Sequence, residues 1–212
     1  MVTKLLTGGL RVGVSNNILA RALSESFGIA KDVIIHRLMG DWEPSSNFFG
    51  ALINPSSQSD YVSLPYPFFL ASPLQIDPNQ LGVLENFSFE WKWDGIRAQI
   101  VKRNESPIIW SRGEEVITDQ YPEVIADVLK LKNCVIDGEI VAWGKDILPF
   151  SELQRRLGRK KVTQKILDEI PIKFLAFDCL EFEGIDIRRE SYEVRRKKLQ
   201  DVLGLIRLDR LE

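Results

Sequence analysis

The sequence predicts an α+β protein built on an antiparallel sheet and preceded by a short helical segment. Three observations lead there. From Phe87 onward, apolar and polar residues alternate with period 2 in several runs, the spacing of strands. These runs are half-buried in pattern rather than continuously apolar, which favours antiparallel pairing, and short helical patterns lie between them. The first 54 residues instead carry apolar side chains at helical spacing.

Ser15 or Asn16 can cap a first helix with Ile18, Leu19, Ala22, Leu23 and Phe27 on one face and Gly28 at its end. A second helix holds Val33, Ile34, Arg37 and Leu38 and stops at Gly40. A third, around Phe48–Ile53, stops at Asn54-Pro55. Residues 54–67, NPSSQSDYVSLPYP, have linker composition and divide the chain into 1–67 and 68–212. In the next strand Phe87, Phe89, Trp91 and Trp93 share one face, and Ser88, Glu90, Lys92 and Asp94 share the other. The tryptophans, with Trp143, are expected in the core, where packing would hold Lys92 rigidly. Gly95 breaks the run. Further strands fit Ile96–Arg103, Ile108–Ser111, Cys134–Trp143 and Ile172–Leu180. Helices fit Glu123–Leu129, Leu153–Leu157 (a Ser151/Gln154 capping box, with Gly158 as stop), Val162–Ile170 and Ser191–Leu203.

Composition excludes several functions. At 44% hydrophobic and 27% charged, the chain has the balance of a soluble globular protein. No apolar run reaches the roughly 18–20 residues of a membrane span, and the N-terminus has no signal-peptide core. Two cysteines without CxxC spacing, beside one histidine, argue against a disulfide framework and a zinc site, so a cytoplasmic location is expected. His36 lies on a predicted helix away from any nucleophile elbow, which disfavours a Ser-His-Asp triad. The net charge of −2 does not announce a nucleic-acid binder, yet Lys and Arg cluster at 155–161 and 188–198, either as solvated helix faces or as phosphate contacts.

The chemistry lies in four short motifs. Glu90, Lys92 and Asp94 set a lysine between two carboxylates within E-W-K-W-D-G-I-R. S-R-G follows at Ser111–Gly113, D-G-E at Asp137–Glu139 after an apolar strand, and A-F-D at Ala176–Asp178 after another. In order, spacing and strand context they resemble the nucleotidyl-transfer signatures of ATP-dependent DNA ligases of bacterial and archaeal-like type. The string K-L-L-T-G-G-L-R-V-G-V-S at Lys4–Ser15 is similar to the end of the helical DNA-binding domain that precedes the catalytic domain in larger members.

The resemblance implies an incomplete nucleotidyltransferase (adenylation) core in 68–212, and in 1–67 the end of a DNA-binding domain plus linker. It implies ATP with Mg2+ or Mn2+, nicked double-stranded DNA as partner, a monomer and no membrane. Lys92 would be the nucleophile that accepts AMP. Glu90 would read adenine, Arg97 contact ribose or phosphate, and Arg112 the ribose and later the DNA 5′-phosphate. Glu139 would hold a ribose hydroxyl or the metal, and Phe177 would stack on the purine. Gly8, Gly9 and Arg11 would approach a DNA phosphate. Asp137 and Asp178 read as turn or structural acids. An ammonium cannot attack phosphorus, and flanking carboxylates favour the ammonium, so a divalent cation is expected.

The family pattern is not fully met. E-G occurs at Glu183-Gly184, close behind A-F-D, where it reads as a turn, and no K-x-K strand follows. Three helices are too few for a whole DNA-binding domain. The 212 residues are therefore expected to be an internal piece of a ligase that binds adenosine nucleotides weakly, forms little covalent AMP and seals no nicks by itself. An RNA ligase or capping-type nucleotidyltransferase shares the lysine chemistry; a GTP test or a nicked-duplex test separates them. A non-catalytic nucleic-acid-binding module would form no covalent nucleotide.

Overall fold

The structure is a computed structural model that describes residues 16–38, 45–54, 64–157, 159, 162–204 and 209–212. The chain divides into two compact units, Met1–Tyr61 and Val62–Glu212.

In the first unit, α1 (Asn16–Phe27), α2 (Lys31–Arg37) and α3 (Ser46–Ile53) bury Ala20, Ile29, Ile34, Leu38 and Leu52 together. Gly28 ends α1 at φ +67°, a conformation costly for other residues. Ser45 caps α3 by accepting from the Phe48 N–H at 3.0 Å. Arg37 is buried and donates to the Leu52 carbonyl at 2.8 Å. The face of α1 differs from expectation. Ala20 and Leu23, three residues apart, meet the small core, while Ile18, Leu19 and Phe27 are exposed.

The second unit is organised by an antiparallel sheet in the order β2-β1-β3-β4-β5. Its strands are β1 (Ile96–Lys102), β2 (Ile108–Ser111), β3 (Cys134–Ala142), β4 (Ile172–Phe182) and β5 (Ile185–Asp186). Side chains alternate between its faces. Ala98, Ile100, Ile136, Ile140 and Phe174 enter the main core, which α4 (Pro122–Val128), α5 (Phe150–Gln154), α6 (Gln164–Glu169) and α7 (Tyr192–Leu203) help to form. Val101, Trp110, Val135 and Leu180 occupy the other face with Leu64 and Tyr66. The central strands are thus buried on both sides, not half-buried as their pattern suggested.

Leu64 and Tyr66 also correct the expected boundary at residue 67. The Tyr66 N–H donates to Gln99 Oε1 at 2.9 Å, its hydroxyl donates to Glu181 at 2.7 Å, and Arg103 donates to the Leu64 carbonyl at 2.7 Å. The later part of the Ser/Pro stretch therefore belongs to the second unit.

A larger correction concerns 87–94. The segment belongs to no strand and pairs with none among the described residues. Alternation can specify an extended chain, but a strand also needs a neighbour to take its backbone hydrogen bonds. Phe89 and Trp91 are 70% and 83% exposed, so Trp91 is not a core residue. Trp93 is half-buried and meets Trp143 edge-on at 6.4 Å.

The Ser151/Gln154 capping box does not form. α5 starts earlier, with Pro149 at its N-cap and no side-chain cap bond. The residues just past α5 are secured by Arg156, fully buried, which grips Glu123 at 2.6 Å and donates to the Gln120 and Ile170 carbonyls. Glu183 and Gly184, at φ +49° and +82°, form the turn between β4 and β5, the positive-φ pair that tight hairpins prefer.

Candidate functional site

Four motifs separated in sequence converge because β1 pairs along its whole length with β3. Arg97 lies opposite Glu139, and Gln99 opposite Asp137. Period 2 puts Arg97, Asp137 and Glu139 on one face. Phe177 joins them through an irregularity in β4. Asp137 pairs with Asp178 but Gly138 with Ala176, so Phe177 is an extra residue in a β-bulge, a device that re-aims a side chain. S-R-G starts on the last residue of β2, and the Arg112 N–H donates to the Arg97 carbonyl at 3.0 Å.

The motif glycines serve close approach. A Cβ on Gly95 would sit 2.1 Å from the Ile140 carbonyl oxygen. The Gly95 N–H donates to Glu139 Oε1 at 3.1 Å, which ties the Lys92 segment to β3. A Cβ on Gly138 would lie 2.4 Å from the Phe174 ring and 2.6 Å from the Leu175 oxygen.

A cavity of about 770 Å³ opens between these elements, within the size range of small-molecule sites. Lys92, Glu90, Arg97, Arg112, Glu139 and Phe177 all line it. Phe69, Trp91 and Ser111 line it too and were not expected there. The exposed aromatic Phe69 carried no signal, because the stretch around it reads as turn-rich linker. Gly8, Gly9 and Arg11 lie outside the described residues.

The charged groups differ in their freedom. Arg97 Nε and Nη2 bond both oxygens of Asp137 at 3.2 and 2.9 Å, and Nη1 donates to the Phe69 carbonyl at 2.6 Å. Its guanidinium also lies 5.4 Å from the Phe177 ring centroid and 5.8 Å from that of Phe68. Any ribose or phosphate contact by Arg97 competes with these partners. Asp137 is therefore a buried mid-strand counter-ion, not a turn residue, and Asp178 likewise pairs with Arg195 at 2.8 Å. Lys92 and Arg112 are exposed and, among the described residues, in no ion pair.

Burial pushes the Asp137 carboxyl upward, against the pull of Arg97. Burial also raises Glu139, opposed by the Gly95 N–H and Arg97. Cys134 and Cys179 are free, buried and pushed up to about 12 by burial, so they are poor nucleophiles. Among the described residues, no three His, Cys, Asp or Glu side chains cluster as a metal cage. Mg2+ needs none, since one carboxylate plus substrate phosphates and water can hold it, and Glu139 in this cavity fits that donor set. Among the described residues, no helix is long and apolar enough to cross a membrane.

Residues 69–209 match the family model described as "ATP dependent DNA ligase domain". The chain is 33% identical over 187 residues to a probable DNA ligase of Koribacter versatilis, covering 86% of this chain and 32% of the relative. It is 32% identical over 218 residues to a DNA ligase of Sulfophobococcus zilligii, covering 95% of this chain and 36% of the relative. It thus spans about a third of the length of these curated relatives. A solved structure of a mycobacterial DNA ligase D complexed with ATP and MES is 28% identical, with a TM-score of 0.43 over 53% of this chain and 35% of that one.

Proposed function

The chain belongs to the family of ATP-dependent DNA ligase domains, and we propose that it carries the adenylation step on Lys92. The deprotonated Nζ attacks the α-phosphorus of ATP. A P–N bond forms, the P–O bond to the β-phosphate breaks, pyrophosphate leaves and the amine gives up a proton, yielding lysyl-AMP. In the protein as a whole, AMP then passes to the 5′-phosphate of a nick in duplex DNA, and the 3′-hydroxyl displaces it to seal the strand.

One observation carries this reading: six residues chosen from four separate motifs line a single cavity. Phosphoryl transfer depends mainly on positioning and charge stabilisation, and the cavity offers both. Phe177 offers a face for the purine, and Glu90 an acceptor for its amino group. Arg112, free of carboxylate partners among the described residues, offers charge to phosphate. Arg97 holds Phe177, Phe68 and the Phe69 backbone in place. A divalent cation on Glu139 and the phosphates would neutralise charge on the leaving pyrophosphate.

Incubation of the full-length protein with α-labelled ATP and Mg2+ or Mn2+ tests the step. The expected product is an acid-labile, base-stable adduct that maps to Lys92 and is lost in Lys92→Arg, because a guanidinium is no nucleophile. Adenylate on a different lysine, or an adduct that survives Lys92→Arg, overturns the proposal.

A further inference from the structure

The first turn of α7 reaches the cavity's residues without lining the cavity. The Tyr192 hydroxyl donates a hydrogen bond to Glu90 Oε1. Three residues on, Arg195 grips both oxygens of Asp178 at 2.8 and 3.0 Å and donates to the Glu190 carbonyl at 2.7 Å. Its guanidinium lies 5.9 Å from the Tyr192 ring centroid. Asp178 directly follows Phe177.

One helical turn is therefore tied to both sides of the proposed purine slot. Through Arg195 it is fixed to the strand bearing Phe177. Through Tyr192 it holds Glu90, whose own backbone belongs to no strand. The helix is a firm platform, with Ser191 as its N-cap and Leu199 and Val202 buried in the main core. Burial, and then the bond to Glu90, push the Tyr192 phenol upward, so it stays a donor at neutral pH. The bond to Oε1 restrains rotation of the carboxylate, which lines the cavity.

We propose that Tyr192 is a positioning residue that aims the Glu90 carboxylate and so sets the preference for adenine over guanine. The inference rests on Glu90 and Phe177 being the purine contacts. Adenine presents an amino donor where guanine presents a carbonyl acceptor. A carboxylate accepts from the first and repels the second, but only while it points at that edge.

The test measures ATP and GTP affinity by titration calorimetry for the 212-residue chain, Tyr192→Phe and Glu90→Gln. The unchanged chain should favour ATP. Tyr192→Phe keeps the ring and should narrow the ATP/GTP ratio by about 2–10-fold, the effect of one lost hydrogen bond, with an unchanged melting temperature. Glu90→Gln, which puts an amide donor at the same place, should abolish or reverse the preference. If Glu90→Gln does so while Tyr192→Phe leaves the ratio intact, the Tyr192 inference alone falls. Equal weakening of both nucleotides by Tyr192→Phe also overturns it, since that marks a merely structural role. If Glu90→Gln changes nothing, or the unchanged chain binds neither nucleotide, the purine-site reading falls and this inference with it.

Discussion

The proposed site joins two kinds of backbone. Arg97, Glu139 and Phe177 stand on strands paired on both sides, and they are half-buried. Glu90 and Lys92 stand on an exposed segment that no strand pairs among the described residues. Among the described residues, bonds that hold the 64–95 stretch to the sheet and the residues just past β1 lie towards its ends, among them Tyr66 on Gln99 and Glu181, Arg103 on Leu64, Arg97 on Phe69, and Gly95 on Glu139. The contrast assigns labour. On the proposed reading, the sheet supplies groups that should not move, and the segment supplies Lys92, the group that would travel through bond formation. Changes on the sheet should therefore cost stability first, and changes on the segment should cost function alone.

Arg97→Ala should have the largest effect. It leaves the buried Asp137 without its partner and frees the Phe69 carbonyl, so about 3 kcal/mol or more of stability should be lost in denaturant titration. A loss under about 1 kcal/mol would show that the pair is not the clamp between the two backbones. Gly138→Ala comes next. Its Cβ would overlap the Phe174 ring and the Leu175 oxygen, and overpacking of this kind costs about 1–3 kcal/mol.

Glu139→Gln should act in the opposite sense. The folded-state carboxyl is raised, so the fold holds the proton better than the unfolded chain does, and ionising Glu139 costs stability as pH rises above about 4.5. The glutamine should raise the melting temperature at neutral pH, with a gain under about 1 kcal/mol after solvent screening, and the gain should vanish in acid. A pH-independent difference would mean that the carboxyl is not raised. Trp91→Ala should be the smallest in stability, within about 0.5 kcal/mol, because the ring is 83% exposed. Any effect of Trp91→Ala should instead be on nucleotide affinity, which titration would register.

Strand β2 runs over Ile108–Ser111 as its apolar run suggested, and the D-G-E and A-F-D motifs lie on β3 and β4. Such features are local and can be read from side-chain type and period. The unpaired state of 87–94 could not be read, because pairing depends on a partner elsewhere in the chain. The burial of Asp137 was hidden for a similar reason. Its counter-ion, Arg97, is 40 residues away, and only the β1–β3 register brings them together. Tyr192 lay within a segment read as a basic helix face. That face is partly neutralised, by Arg195 on Asp178 and Lys198 near Asp201.

The bulge at Phe177 has a counterpart one step further along β4. Val135 pairs with Glu181 and Ile136 with Cys179, which leaves Leu180 as a second extra residue. A regular strand offers each face one side chain about every 6.6 Å. Each extra residue lets β4 present two consecutive side chains to the same side, Phe177 with Asp178 and Leu180 with Glu181. Ring and carboxylate can then be neighbours where ordinary pleating would send them to opposite faces. The core-facing residues pay in rhythm: Phe174, Ala176, Cys179 and Phe182 fall at intervals of two, three and three. Deleting one extra residue would restore even spacing locally and keep Cys179 and Phe182 on the core, but would leave a single side chain on the site's face where there are now two. The length of this strand is thus as much a part of its chemistry as its composition.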